Sequence, residues 1–229
     1  MNGLLNQIRL VADWLTSAQQ WRGADGIPHR FLEHLAYSGI SLLVAALIGL
    51  TCGLLVGHTG RGAFAVASVV NVARAVPTFG LVVLVVTVIG LSTTPVLIAL
   101  TALAVPPILI NTFEGLRGVD PDAKDAARGM GMTGWEVLSR VEVPMALPLI
   151  LLGLRVAAIQ VVATATVAAY PGLGGLGRFI VDGLARNDYQ LVMGGSAVVV
   201  LLALVVQAAF AALRRVIVSP GLRGPAPRS

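Results

Sequence analysis

Chemistry needs groups that can attack, move a proton, bind a metal or cradle a phosphate, and few of them are usably spaced here. Gly172-Leu-Gly174-Gly175-Leu-Gly177 satisfies G-x-G-x-x-G by letter. It follows a long apolar run rather than a strand, so no strand-turn-helix is on offer to a dinucleotide. A hinge or gate segment is the better reading of Gly172, Gly174, Gly175 and Gly177. A P-loop needs Lys directly after Gly, and the one lysine, Lys124, follows Ala123. The histidines at 29, 34 and 58 lack metal-ligand spacing and read as interfacial residues, so no metal is expected. Cys52 stands alone, excludes an internal disulfide, and reads as packing in a small-residue helix. What is left is charge in apolar surroundings. Arg74 and Arg155 each interrupt an otherwise uncharged run, and DAARGMGMTGWEVLSRVEVP, residues 125–144, is a charged, glycine-punctuated passage.

The elements that must carry these residues are membrane helices. Of 229 residues, 56% are hydrophobic and 12% charged, about half the charge of a soluble domain. A bilayer core takes about 20 apolar residues per helix. Runs at 35–57, 91–113 and 189–213 carry no charge, and 63–89 and 143–170 carry only Arg74 and Arg155. Five spans are expected, and they hold no Asp or Glu. Residues 1–32 form a separate N-terminal segment without the pattern of a cleaved signal. Its apolar residues recur at helical spacing, with Trp14 and Trp21 as interfacial anchors, which fits a helix lying on the membrane surface; a partly disordered leader is the other reading. A membrane core over 33–218 and a short basic tail over 219–229 leave no room for a second domain, so any energy source is expected on other chains.

The net charge of +5 would suit nucleic acid only if the basic residues shared one face, and the bilayer separates them. With the C-terminus cytoplasmic, nine basic residues (Arg61, Arg117, Lys124, Arg128, Arg140, Arg214, Arg215, Arg223, Arg228) fall inside. Five (Arg9, Arg22, Arg30, Arg178, Arg186) fall outside. That bias orients the chain N-terminus out, puts the charged passage in the cytoplasm, and leaves no nucleic-acid role.

Within the spans, Gly49, Gly53 and Gly57 at four-residue spacing invite close approach of a neighbouring helix. Pro77 should break the second span. The third should end through Pro106 and Pro107, and the fourth should open at Pro144 and Pro148. Arg74 and Arg155 have two open readings: lining a pathway, or satisfying carbonyls and a helix interface. Asn71, Pro77, Thr78, Gln160, Thr164 and Thr166 are the other pathway candidates, polar enough to hydrate a small solute without trapping it.

Residues 118–144 call for more structure than a solvated loop. Asp120 is a candidate N-cap with Pro121 at the first helical position. Gly129 and Gly131 can end that helix, and Thr133-Gly-Trp-Glu136 fits a capping box. Ala123, Ala126, Ala127 and Met130 give the first helix a narrow apolar seam, and Trp135 marks the second. Val141, Val143 and Pro144 should then turn the chain back into the membrane.

Here the residues carry a resemblance. Asp125-Ala126-Ala127, three residues, Gly131, nine residues, then Val141-Glu142-Val143-Pro144 resembles the EAA loop of ABC importer permeases, with Asp for the usual Glu and valines for Ile and Leu. RAVPTFGLVVLVV, PPILINTFEGLRGVDP and YPGLGGLGRFIVDG are similar to permeases of bacterial osmoprotectant systems, which move glycine betaine, choline, carnitine or proline. The similarity covers about residues 33–215. It implies an all-α, five-helix membrane core of the methionine-permease type in the bacterial inner membrane, paired with a second permease, identical or paralogous. It also implies that Asp125, Ala126, Ala127, Gly131, Trp135, Val141, Val143 and Pro144 form coupling helices seated on cytoplasmic ABC ATPase subunits. ATP is then bound by those subunits, an extracytoplasmic binding protein delivers a small zwitterionic or quaternary-ammonium solute, and this chain needs no cofactor and performs no catalysis. The rivals are a permease for another small solute such as an amino acid, and a secondary transporter or channel. The absence of carboxylates from the apolar runs weighs against a proton-coupled carrier.

Overall fold

The computed structural model describes residues 2–170, 172–219 and 221, without the side chains of residues 2–4 and 74. The regular elements are helices α1 (Asn2–Thr16), α2 (Ile27–Thr59), α3 (Ala63–Ala75), α4 (Thr78–Ile89), α5 (Thr93–Arg117), α6 (Pro121–Gly129), α7 (Gly134–Val137), α8 (Val143–Thr164), α9 (Gly177–Arg186) and α10 (Tyr189–Ile217). Four of the helical segments are long and apolar enough to cross a membrane, and α3 with α4 makes a fifth if the pair is one broken span. The break falls at Pro77, which caps α4, because a proline ring cannot continue the coil behind it. Large apolar side chains such as Leu43, Leu47, Val88 and Leu201 are more than 60% exposed, a surface that needs lipid or protein beside it rather than water.

The chain divides into two compact units, Met1–Leu43 with Val76–Leu103 and Ala158–Val206, and Val44–Ala75 with Ala104–Ala157 and Gln207–Ser229. The helices α2, α5, α8 and α10 each give one stretch to either unit.

In the first unit the core gathers Trp14, Ile27, Val162, Leu176, Phe179, Val198 and Leu202. Trp14 meets Phe179 edge to face at 5.2 Å. Both rings press on α10 where it has no side chains: a Cβ at Gly194 would stand within 2.3 Å of Trp14, and one at Gly195 within 2.4 Å of Phe179. The expected N-terminal helix therefore forms, but Trp14 is a core residue and not an interfacial anchor. Trp21 stays half exposed and donates its indole N–H to the Leu15 carbonyl.

In the second unit α2 packs on α5 through the expected glycines. A Cβ on Gly49, Gly53 or Gly57 would come within 2.9, 2.7 or 2.8 Å of the Cβ of Ile108, Thr112 and Leu116 respectively. The two helices thus share a four-residue register over three contacts, with backbones close enough for van der Waals attraction to act along their length. The third span does not end at Pro106 and Pro107; α5 runs through both. Gly49 faces the Val105 carbonyl and Gly153 the Pro107 carbonyl, so helices pack against the weakened stretch from α2 and α8, where such a defect is tolerated.

Candidate functional site: the 118–144 segment and the glycine loop

Both short helices of the 118–144 segment form with their caps. The Asp120 side chain accepts from the Asp122 N–H at 3.0 Å, and Pro121 opens α6. Gly131 takes φ +85°, a conformation that favours glycine, and closes the joint. Thr133 and Glu136 then make the reciprocal capping box: the Thr133 N–H reaches Glu136 Oε2 at 2.9 Å, and the Glu136 N–H reaches Thr133 Oγ1 at 3.4 Å. The bonds from the Thr133 backbone and hydroxyl hold the Glu136 carboxyl below the usual carboxylate range. No turn returns the chain to the membrane at Val141–Pro144. The coil instead widens through a π-helical turn, Leu138–Glu142, where the Val143 N–H bonds back five residues to Leu138, and α8 follows without interruption. A widened turn is one way to carry a helix into Pro144, whose ring would crowd the carbonyl four residues back.

The segment has an inner and an outer face. Ala127, Val137 and Leu138 are buried, Leu138 against Leu116, Ala146 and Ile150, with Val143 packed beside them. The seam of α6 is accordingly split: Ala127 turns in, whereas Asp125, Ala126 and Gly131 lie exposed. Met130 and Trp135 are each 73% exposed. Val141 is half buried and Pro144 exposed.

Beneath this surface lies a charged cluster that local patterns did not disclose. Glu142, 1% exposed, places Oε1 3.1 Å from Lys124 Nζ and Oε2 2.5 Å from His58 Nδ1. Lys124 also donates to the Leu116 carbonyl at 2.9 Å. His58 of α2 and Lys124 of α6 therefore meet on one carboxylate in the turn before α8, and Lys124 ties the same cluster to α5. A buried carboxylate with two cationic or hydrogen-bonding partners resists displacement, because moving any partner leaves charge unsatisfied. His58 is thus a tether rather than an interfacial residue. A glutamate flanked by valines just before a membrane helix was the one signal available, since a charge so placed needs a partner.

In the first unit the glycine loop is held against α2. Gly172 and Gly175 have positive φ, and the Gly175 N–H donates to Glu33 Oε2 at 2.8 Å. A Cβ at Gly174 would overlap the Glu33 carboxylate, and one at Gly177 the Thr166 carbonyl. Arg30 in turn holds Glu33 at 3.0 Å. His34, expected at an interface, is fully buried and bonds to the Val162 carbonyl at 3.0 Å. Gly174 and Gly177 serve close packing, whereas Gly172 is open on its Cβ side and supplies a positive φ, and the loop leads into α9.

The pathway candidates are spread over both units. Asn71, Arg74 and Arg155 belong to the second, and Pro77, Thr78, Gln160, Thr164 and Thr166 to the first. Asn71 is exposed, Thr78, Gln160 and Thr164 are half buried, and the Arg74 side chain lies outside the described residues. Thr166 spends its hydroxyl on the Ala163 carbonyl. Arg155 donates Nε–H to Gln207 Oε1 of α10 at 2.8 Å. Next to Pro77 and Thr78, Phe79 meets Tyr170 edge to face at 5.3 Å, and the two rings border an open apolar crevice of about 220 Å³.

Residues 45–223 match the family of binding-protein-dependent transport system inner membrane components. A carnitine transport permease protein of Listeria monocytogenes is 39% identical over 181 residues, 79% of this chain and 83% of that protein. A glycine betaine/carnitine/choline transport system permease protein of Bacillus subtilis (strain 168) is 33% identical over 192 residues, 84% of this chain and 88% of the relative. The fold is similar to a chain of the inward-facing MetNI methionine ABC transporter, with a TM-score of 0.70 and 23% identity over 82% of this chain and 94% of that one.

Proposed function

This chain belongs to the family of inner-membrane components of binding-protein-dependent transport systems, and on that premise we propose that it forms the transmembrane pore of an ATP-driven importer for osmoprotectants. The solutes are small zwitterions or quaternary ammonium ions of the glycine betaine, carnitine and choline kind, the solutes named for relatives that align over most of their length.

The observation that carries the mechanism is the segment 118–144: two capped helices joined at Gly131, exposing Met130 and Trp135 outward and fastened inward through Glu142. A part that transmits force must be rigid, must present a surface to the part that pushes, and must be tied to what moves. This segment has each property. Met130 and Trp135 would enter clefts of cytoplasmic ATPase subunits. Closure of those subunits on ATP would tilt α6 and α7, and the Glu142 cluster would pass the displacement to α2, α5 and α8, switching access between the two sides. The C-terminus would be cytoplasmic, a second permease would complete the pore, and a binding protein would deliver solute outside. ATP would be hydrolysed on the partner subunits, with no catalytic step on this chain.

The test is uptake of radiolabelled glycine betaine, carnitine and choline by cells expressing the chain with its ATPase and binding protein. Uptake that needs all three and stops in an ATPase-dead variant supports the reading. Uptake by the permease alone would replace it with a secondary transporter or channel.

A further inference from the structure

Two crevices of the second unit, between α8 and α10, share Arg155 and Arg214. One, of about 130 Å³, is walled by Pro148, Leu149, Leu152 and Phe210. The other, of about 290 Å³, is lined by Arg155, Ala211, Arg214 and Arg215. An apolar slot therefore opens beside three guanidinium groups. The helices α8 and α10 contain no Asp or Glu, and among the described residues neither Arg155 nor Arg214 is in an ion pair. Arg155 commits Nε to Gln207, which orients the guanidinium. Arg155 and Arg214, two cations at a membrane helix end with no acid paired to them among the described residues, call for an anion from outside the chain.

We propose that this site seats an anionic phospholipid, with the phosphate on Arg155 and Arg214 and an acyl chain along Leu149, Leu152 and Phe210. The depth fits. The 29 residues of α10 extend about 43 Å at 1.5 Å each, beyond a hydrocarbon core of about 30 Å, so Arg214 and Arg215 reach headgroup level. Arg155, farther in, can extend its side chain toward the same level. Guanidinium forks match phosphate oxygens bidentately, and a basic pocket between membrane helices is a recognised form of lipid headgroup site. The apolar slot argues for a lipid over free phosphate, which would gain nothing from Leu149 or Phe210. An identical permease copy has no carboxylate in its apolar runs with which to fill the site.

The test uses the complex of permease and ATPase subunits in nanodiscs of phosphatidylcholine with or without phosphatidylglycerol, with spin-labelled lipid to read occupancy. The wild type is expected to select phosphatidylglycerol. Arg214→Gln should weaken that selection about fivefold, at the energy ordinarily gained per basic residue near an anionic surface. Because losing an arginine can also disturb insertion, Leu152→Trp is the second variant. It fills the slot, leaves every charge in place, and should lower retention of phosphatidylglycerol as well. Equal binding of both lipids by the wild type, or full retention in Leu152→Trp, would overturn the proposal. So would displacement of the lipid by excess inorganic phosphate, which would mark a free-anion site. Loss of uptake in Arg155→Gln with lipid retention unchanged would assign Arg155 to the pathway and refute it too.

Discussion

Glu142 Oε2 stands 2.5 Å from His58 Nδ1, and these two residues, 84 positions apart, join the end of α2 to the turn that leads into α8. With Lys124 on the other carboxylate oxygen, the pair makes the buried link between α6 and the membrane helices. Lys124→Met is expected to leave Glu142 short of a charge partner and to lower stability by about 3 kcal/mol, the lower part of the range for breaking a buried pair because His58 stays. Glu142→Gln in the same chain should return part of that loss, as expected for directly coupled sites. Thermal unfolding of the four proteins in detergent measures both. Strictly additive effects would show that the two groups do not interact.

Gly53 sits where a Cβ would be 2.7 Å from that of Thr112 and 3.1 Å from the Leu109 carbonyl. Gly53→Leu should therefore prevent α2 from seating on α5 and cost several kcal/mol, more than the usual range of about 1–3 for overpacking because backbone as well as side chain must move. Gly39, on the same helix, has nothing within 4 Å of its Cβ position, and Gly39→Ala should be neutral or gain up to about 1 kcal/mol of helix preference. The yield of monodisperse protein and its melting temperature separate the two. Equal behaviour would mean that this helix contact does not carry the fold.

What was legible in the sequence was local. The apolar runs marked the spans, Asp120-Pro121 and Thr133 with Glu136 marked two caps, and the glycine spacing marked a close contact on α2. What was hidden depended on partners distant in the chain. Nothing near His58 points to Glu142, and Arg155 meets Gln207 across 52 residues. Trp14 looked like an anchor because its burial depends on Gly194, and Pro106 and Pro107 looked like an ending because the helices that flank them lie elsewhere in the sequence. The segment around Asp125 was visible as two helices. Its division into an inward Ala127 and an outward Met130 and Trp135 required the fold.

Gly131 is open on the side where a Cβ would point but holds φ +85°, so any side chain there costs about 1 kcal/mol or more through backbone strain rather than collision. Gly131→Val and Ala127→Trp are expected to leave the chain inserted while uncoupling uptake from ATP hydrolysis. Trp135→Ala, which removes an exposed ring, should weaken capture of the ATPase subunits at least tenfold, as for an aromatic anchor at an interface, and leave melting unchanged within about 0.5 kcal/mol. Co-purification, ATPase rate and uptake are the three measurements. Normal uptake in all three variants would remove the segment from the coupling role.

The last expectation concerns solute choice, to which this chain should contribute little. A quaternary ammonium ion is held best inside several aromatic faces, each contact giving about 0.5–2 kcal/mol. Here Trp14 is consumed by packing on Phe179, while Trp21 and Trp135 lie outside the apolar runs. The fold does bring Phe79 to Tyr170, but edge to face at 5.3 Å, so one ring turns its rim to the other and the pair offers a single wall rather than a cage. Two such contacts at most correspond to millimolar binding or weaker once the cost of immobilising the solute is counted. Weak binding suits a passage, because a tight intermediate site would slow release. Phe79→Ala and Tyr170→Ala should each change uptake rate without changing the order of preference among glycine betaine, carnitine and choline. Titration of radiolabelled solute against the permease and ATPase complex, with the binding protein left out, decides the matter. Micromolar and selective binding, lost in Phe79→Ala, would show that recognition is shared by the membrane core.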